Sequence, residues 1–164
     1  MNTAEFLDSA IEHLQEGVQR IARCLDQLTP EQIWHDHNSN LVSVGNLILH
    51  LQGNVSQYII KGIADREYER HRDAEFSAKP NLSAADLLHE ISGTVDQATS
   101  IIRNLTDREL DADVNVQGFH HTGTSSIVHV VEHFSYHVGQ ITFAVKFLKD
   151  IDLGYYAGLD LDLQ

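Results

Sequence analysis

The chain of 164 residues has the length of one domain and is long enough to bury a hydrophobic core without disulfide bonds or a structural metal. It carries 24 acidic and 11 basic residues, and the formal net charge of -13 would repel a phosphate backbone, so nucleic acid is not an expected partner. Because Cys24 is the only cysteine, the chain can form neither an internal disulfide bond nor a thiolate metal cluster.

The N-terminal sequence predicts a cytoplasmic protein. The string MNTAEFLDSAIEHLQ is acidic and lacks the basic start and apolar run of a signal peptide. No segment approaches the length of a membrane span, so we expect no contact with membranes. Residues 1–164 are expected to form a single domain.

Four long segments have apolar residues at every third or fourth position, which is the pattern of amphipathic helices packed in a bundle. The first runs from about Thr3 to Leu28, and the sequence PEQIW after it has room for one helical turn. Ser43 is the expected N-cap of the second helix, and Ser83 starts the third. The fourth occupies Ser125 to Asp150, with Ser125 or Ser126 as its N-cap.

Two longer connections separate these helices. Lys61 to Leu82 is irregular and dense in charge, and we expect it to cross one end of the bundle as a functional loop or as a solvated crossover. Thr106 to Thr124 contains DREL, a possible turn of helix, and the alternation in Asp113 to Gln117 allows an extended excursion or a short hairpin. The pattern as a whole specifies an all-α four-helix bundle.

Three histidines of the fourth segment, His129, His133 and His137, follow one another at spacings of four. On a helix they form one stripe, so two of their imidazoles can converge on one ion. The chain has eleven histidines, however, and separate core or surface histidines that bond to their neighbours remain an alternative.

His50 lies in the second segment between two leucines and needs a polar partner in so apolar a setting. Asn46 and Asn54, one turn before and after it, either satisfy the ring themselves or orient it toward a metal.

One histidine from the second helix and two from the fourth would supply three nitrogen ligands and leave positions open, as in catalytic sites. Neutral imidazoles suit zinc, nickel, copper or iron. The pair of His35 and His37 is a weaker site, because nothing in its polar loop holds both rings.

The spacing excludes two known metal motifs. Di-iron bundles use Glu-x-x-His, and no histidine of this chain has a glutamate three residues before it. Zincin proteases use H-E-x-x-H, but the run here is HFSYH, in which Phe134 occupies the position of the base. Glu132 precedes the pair and is turned about 100° away. A hydrolase would therefore need its base from elsewhere.

The strings HVVEHFSYHVGQI and SVGNLILHLQGNVSQYI resemble the DinB superfamily, also described as DNA-damage-inducible or YfiT-like metal enzymes, over nearly the whole chain. The resemblance implies an up-up-down-down four-helix bundle with a long connection between helices two and three. It also implies a homodimer and a divalent metal held by His50, His133 and His137. Many relatives have arginine before the Gly-Gln pair where Val138 stands, which puts any role of that arginine in doubt here.

Related families are thiol-dependent S-transferases and isomerases that use bacillithiol, mycothiol or glutathione. The resemblance thus implies a metal-dependent transferase or isomerase with a low-molecular-weight thiol, a small-molecule substrate, and zinc or nickel before iron or manganese. The alternatives are a metal-dependent hydrolase, with His129 or Glu132 as base, and a metal-binding stress-response bundle without catalytic activity.

Two further residues follow the histidine pair in sequence. Gln140 lies three residues after His137 and so on the ligand face, where its amide could hold a ligand ring or a bound substrate. Tyr136 is offset from that face, and we expect it to pack between helices or to bond a backbone group.

Overall fold

The computed structural model describes residues 2–36, 38–77 and 82–162. Four long helices dominate this part of the chain: α1 (Thr3–Leu25), α3 (Val44–Val55) with a π-helical continuation (Ser56–Ile63), α5 (Ala84–Arg103) and α7 (Gly123–Lys149). Between them lie the short helices α2 (Pro30–Ile33), α4 (Arg72–Ser77) and α6 (Asp107–Asp111), and the strands β1 (Asp113–Val116) and β2 (Phe119–Thr122). His37 of the weaker histidine pair lies outside the described residues. No helix in the described ranges combines the length and apolar character needed to cross a membrane.

Side-chain caps begin the long helices, as expected at Ser43 and Ser83. The expected cap of α7 at Ser125 or Ser126 is wrong, because Thr122 is the N-cap. The Thr122 hydroxyl accepts from the backbone N–H of Ser125 at 3.1 Å, and the Ser125 hydroxyl accepts from the N–H of Thr122 at 2.8 Å. Ser125 therefore completes a capping box within the first turn.

Of the two alternatives for the segment before α7, an extended excursion and a short hairpin, the structure has the hairpin. Strands β1 and β2 pair antiparallel from Asp113 opposite Thr122 to Val116 opposite Phe119. The two turn residues, Gln117 and Gly118, have φ angles of 54° and 81°. Positive φ at both positions is the geometry that closes a two-residue hairpin.

The four long helices run up, down, down and up. Contacts between α1 and α7 advance in the same chain direction, whereas contacts between α3 and α7 advance in opposite directions. Helices α3 and α5 begin at the same end of the bundle, where Trp34 packs on Gly45 and its indole N–H donates to the carbonyl oxygen of Leu82 at 3.1 Å. The contacts that define the other directions are Gly17–Phe134, Cys24–Thr142, His50–His133 and Asn54–His129.

The expected all-α four-helix bundle with a long connection between its second and third long helices is confirmed. The order of helix directions, up-down-down-up, differs from the up-up-down-down order that the resemblance implied. Because α3 and α5 are parallel, the chain between them must return over the 12 residues of α3 and the 8 of its continuation, roughly 30 Å. The connection therefore runs back along α3 and carries α4, and does not merely cross one end of the bundle.

All four long helices contribute to one apolar core. Most of the apolar residues of α1 are buried, and so is the apolar stripe of α7 that includes Ile127, Val130, Phe134, Val138, Ile141 and Val145. The largest fully buried side chains are Leu14, Ile21, Ile33, Ile48, Leu51, Ile59, Leu87, Ile91, Ile102, Ile127, Phe134 and Ile141. No part of this core is formed by the histidines of α7, which lie beside it.

We expect the bundle to stay folded without metal, because the apolar core alone supplies the driving force for folding. Circular dichroism in the presence and absence of a chelator measures this directly. The helical signal at room temperature should be unchanged by chelation, and its loss would make the metal a structural element.

Candidate metal centre

The antiparallel packing of α3 on α7 brings together His50, His133 and His137. The Nε2 atoms of His50 and His133 lie 3.0 Å apart, and one ligand atom from each of the three rings lies within 4.8 Å of the others. Two nitrogen ligands at about 2.0–2.1 Å from a tetrahedral ion would lie about 3.3 Å apart. The three histidines expected from the sequence are thus close enough to share one divalent ion.

The three rings lie at the boundary between core and solvent. His50 is buried, and His133 and His137 are partly buried. Burial, followed by the nearby imidazoles of His137, His50 and His129, lowers the pKa of His133 to about 3. Burial also lowers the pKa of His137, against the opposing effect of its hydrogen bond to Gln140. At neutral pH both rings are therefore uncharged, which is the form that binds metal.

Gln140 fixes the orientation of His137. The Nδ1–H of His137 donates to the Gln140 Oε1 at 2.7 Å, which leaves Nε2 of this ring to carry the lone pair. Gln140 therefore lies on the ligand face, as its spacing predicted. The expectation that Tyr136 packs between helices is wrong, because its side chain is 61% exposed. Its ring is roughly perpendicular to that of His137, with the two centroids 5.0 Å apart.

Two residues that sequence reasoning missed, Glu75 and Arg70, contact His50. The Nδ1–H of His50 donates to the Glu75 Oε2 at 2.9 Å. Arg70 holds the same carboxylate with two hydrogen bonds, from Nε to Oε1 at 2.6 Å and from Nη2 to Oε2 at 2.8 Å. The Arg70 Nη2 also lies 3.2 Å from the His50 Nδ1, but both nitrogens carry protons in this arrangement, so we assign the hydrogen bonds to the carboxylate.

Glu75 is buried and remains ionised. Burial acts to raise the pKa of its carboxyl group, but the hydrogen bonds from His50 and Arg70 outweigh that effect, and the pKa is lowered. The charged connection between α3 and α5 offered a general signal for functional residues. No periodicity in that segment, however, singles out Glu75 from its other acidic residues.

The two asparagines that flank His50 have different partners. Asn46 donates from Nδ2 to the backbone carbonyl oxygen of Glu75 at 2.8 Å, so it anchors the segment that supports His50. Asn54 places its Nδ2 3.3 Å from the Nε2 of His129. Asn46 thus acts on the site through Glu75, and Asn54 contacts the neighbouring ring of α7.

His129 lies beside the cluster. Its ring stacks on that of His133, with centroids 5.4 Å apart, and lies 4.3 Å from the ring of Tyr58 in the π-helical segment. Burial and, next, His121 lower the pKa of His129, while Glu132 acts in the opposite direction. His129 is therefore an uncharged imidazole next to the three candidate ligands.

Glu132 lies on another side of α7. It is exposed and lines a groove of about 980 Å³ between α1 and α7, which includes none of the three candidate ligands. The structure therefore does not bring Glu132 into the cluster.

Along the outer side of α7, Phe143 and Phe147 are 72% and 74% exposed. The homodimer that the resemblance implies stays a prediction.

Comparisons with known proteins agree with this architecture. A family model described as "Protein of unknown function (DUF1572)" matches residues 2–156, and no curated protein matches the chain. Among solved structures, a DinB-like protein (YjoA) from Bacillus subtilis has 14% sequence identity and a TM-score of 0.66, with 88% of this chain and 94% of that chain covered. A DinB-like protein from Bacillus cereus ATCC 10987 has 15% identity and a TM-score of 0.68, with 89% and 94% covered. These structures show the shared fold.

We expect the metal-free protein to lose stability as the pH falls below about 6.5. The unfolded chain protonates His133 near its ordinary pKa of 6.5, whereas the folded chain does so only at about 3, so protonation favours unfolding between these values. The contribution of this one group between pH 7 and pH 5 is at most about 2 kcal/mol.

Urea unfolding in a chelator at both pH values measures this loss. The loss of unfolding free energy between the two pH values should be smaller in His133→Gln than in the parent. In His89→Gln, which alters an exposed histidine of α5, the loss should equal that of the parent. Equal losses in the parent and His133→Gln would contradict the assignment.

Proposed function

The chain belongs to the DUF1572 family of proteins of unknown function. From the geometry of its histidine cluster and the resemblance to thiol-dependent enzymes, we propose that it is a metal-dependent enzyme acting on a low-molecular-weight thiol. The proposed reaction is transfer of the thiol to a small electrophile, or an isomerisation that uses the thiol. The observation that carries the proposal is the convergence of three imidazoles, one from α3 and two from α7, within 4.8 Å.

The donor set fits a divalent ion. Its three candidate ligands are imidazole nitrogens, and the group found among the described residues includes no carboxylate or thiolate. Such a set suits zinc, nickel or iron, manganese is implied only by the resemblance, and three protein ligands leave a position for substrate. A divalent ion bound there would favour the deprotonated form of a coordinated thiol at neutral pH.

In this proposal His129 takes up the proton that the thiol loses. Its ring is uncharged at neutral pH and lies next to His133, and the contacts with Asn54 and Tyr58 define its position. A general base needs both an available lone pair and a fixed location near the reacting group. His129 has the fixed location, and its one lone pair, on the Nε2 that accepts from the Asn54 amide, would exchange that hydrogen bond for the thiol proton.

The carboxylates near the cluster do not support a hydrolase of the zincin type, so a hydrolase at this site would have to use His129 as its base. Glu132 lines the groove between α1 and α7, and both oxygens of Glu75 already accept hydrogen bonds from Arg70 and His50. Neither carboxylate is placed to activate water as the glutamate of a zincin does. Formation of a thiolate requires only that one proton be accepted.

We expect protein prepared without a histidine tag to bind one zinc or nickel ion per chain through these histidines. Competition with a chromophoric chelator measures the affinity. His133→Ala removes a proposed ligand and should weaken binding by about 100-fold or more, since even residues that only support a ligand are worth about 10–100-fold. His89→Ala, which alters an exposed histidine of α5, is the matched control and should bind as the parent does. Parental affinity in His133→Ala would refute the site.

Activity is tested with the zinc- and nickel-loaded protein on bacillithiol, mycothiol and glutathione, each paired with a panel of small electrophiles. We expect thiol consumption that requires the metal and that falls by about 10²–10⁴-fold in His129→Gln, the range typical of general acid–base catalysis. Parallel ester and amide panels test the alternative. Hydrolysis without thiol transfer would make the protein a hydrolase, and inactivity in both screens would favour a metal-binding protein without catalytic activity.

A further inference from the structure

The connection between α3 and α5 places a charged pair against the side of His50 that faces away from the other two rings. Glu75 accepts from the His50 Nδ1, and His50 presents its Nε2 to His133 on the opposite edge of the ring. Since a neutral imidazole carries one N–H, a proton committed to Nδ1 leaves the lone pair on Nε2. The contact with Glu75 therefore ensures that Nε2, the nitrogen that faces the proposed metal position, is the one that carries the lone pair.

The carboxylate has little freedom to turn away from His50. The side chains of Arg70 and Glu75 are only 5% and 10% exposed, and Arg70 binds both carboxylate oxygens. Asn46 holds the backbone of Glu75, and the ring of Phe76 lies 4.8 Å from that of His50.

The sequence of α3 accommodates this approach at Gly53. A Cβ atom at that position would lie 2.0 Å from the Glu75 Oε1 and 2.9 Å from the Arg70 Nε. Any larger residue would displace the pair. Close approach of the connection to α3 thus depends on glycine one turn after the histidine.

The side chains that accept hydrogen bonds from the candidate ligands His137 and His50 differ in charge. His137 donates to the neutral amide of Gln140, whereas His50 donates to an ionised carboxylate. A carboxylate that accepts from a metal-binding histidine fixes its tautomer and makes the ring a stronger donor to the metal. Arg70 neutralises the buried charge and keeps both carboxylate oxygens occupied, so that Glu75 supports the ligand without becoming one.

We propose that Glu75, held by Arg70, is a positioning residue of the metal centre that fixes His50 as the Nδ1–H tautomer. The connection between α3 and α5 is then a functional part of the site. This inference rests on the proposed metal-binding function.

The test uses two double variants, since removing Glu75 alone would leave Arg70 buried without its partner. In Arg70→Met/Glu75→Leu, apolar side chains of similar size replace the ion pair, an exchange that buried pairs often tolerate. In Arg70→Met/Glu75→Gln, the amide oxygen can still accept from the His50 Nδ1–H. Glu69→Ala, which removes an acidic side chain 86% exposed on the same connection, is the control.

The first readout is the tautomer of His50 in the metal-free protein, measured by long-range ¹H–¹⁵N correlation NMR. The parent, the control and the glutamine variant should show the Nδ1–H form, whereas the leucine variant should show the Nε2–H form or a mixture. This readout requires no metal and would not follow from a role of the pair in packing alone. A parent with an Nε2–H ring, or a leucine variant with an unchanged tautomer, would overturn the inference.

The second readout is zinc affinity. We expect it to fall about 10–100-fold in the leucine variant and to recover at least partly in the glutamine variant. If the parent binds zinc and the leucine variant binds it equally well, the positioning role is wrong and the proposed function stands. If the parent binds neither zinc nor nickel, the proposed function fails and this inference fails with it.

Discussion

The antiparallel packing of α3 on α7 is the constraint on which the site depends. It sets His50 against two histidines that are one turn apart, with Nε2 atoms of facing helices 3.0 Å apart. Partial burial of the ring and, next, the neighbouring imidazoles disfavour a charge on His133, so its pKa falls to about 3. The fold therefore keeps the rings of His133 and His137 uncharged at neutral pH, and a divalent cation is the ligand that such a cluster suits best.

The topology of the bundle supplies the support for this group. Because α3 and α5 run parallel, the chain must travel back along α3, and on that path Arg70 and Glu75 meet His50 halfway along the helix. A crossover at the end of the bundle could not reach this position. Breaking a buried ion pair by removing one partner typically costs about 3–5 kcal/mol, so the connection also contributes to holding α4 in place. That cost arises because one charge is left buried without its partner, so it measures the need for both residues together and not the stability that the pair adds.

Much of this arrangement follows from local sequence patterns. Apolar periodicity predicted the four helices, and the spacing of His133, His137 and Gln140 placed all three side chains on one helical face. These predictions succeeded because both partners of each relationship lie within one or two turns. The apolar setting of His50 in the second helix of a bundle suggested a link to that face, and the resemblance implied the same ligand set.

The remaining features depend on tertiary contacts. Glu75 lies 25 residues from His50, in a segment with no periodicity, and nothing local distinguishes it from the other acidic residues there. Its role required knowledge that α3 and α5 are parallel. The N-cap of α7 at Thr122 was missed for a related reason, since four hydroxyl residues lie at this helix start and contacts with α6 select among them: a Cβ at Gly123 would lie 2.3 Å from the carbonyl oxygen of Glu109. An anomalous difference map from crystals of the zinc-loaded protein tests the central claim most directly. We predict one strong peak about 2.0–2.1 Å from a ring nitrogen of each of His50, His133 and His137, and a peak elsewhere, or none at full zinc loading, would contradict the account.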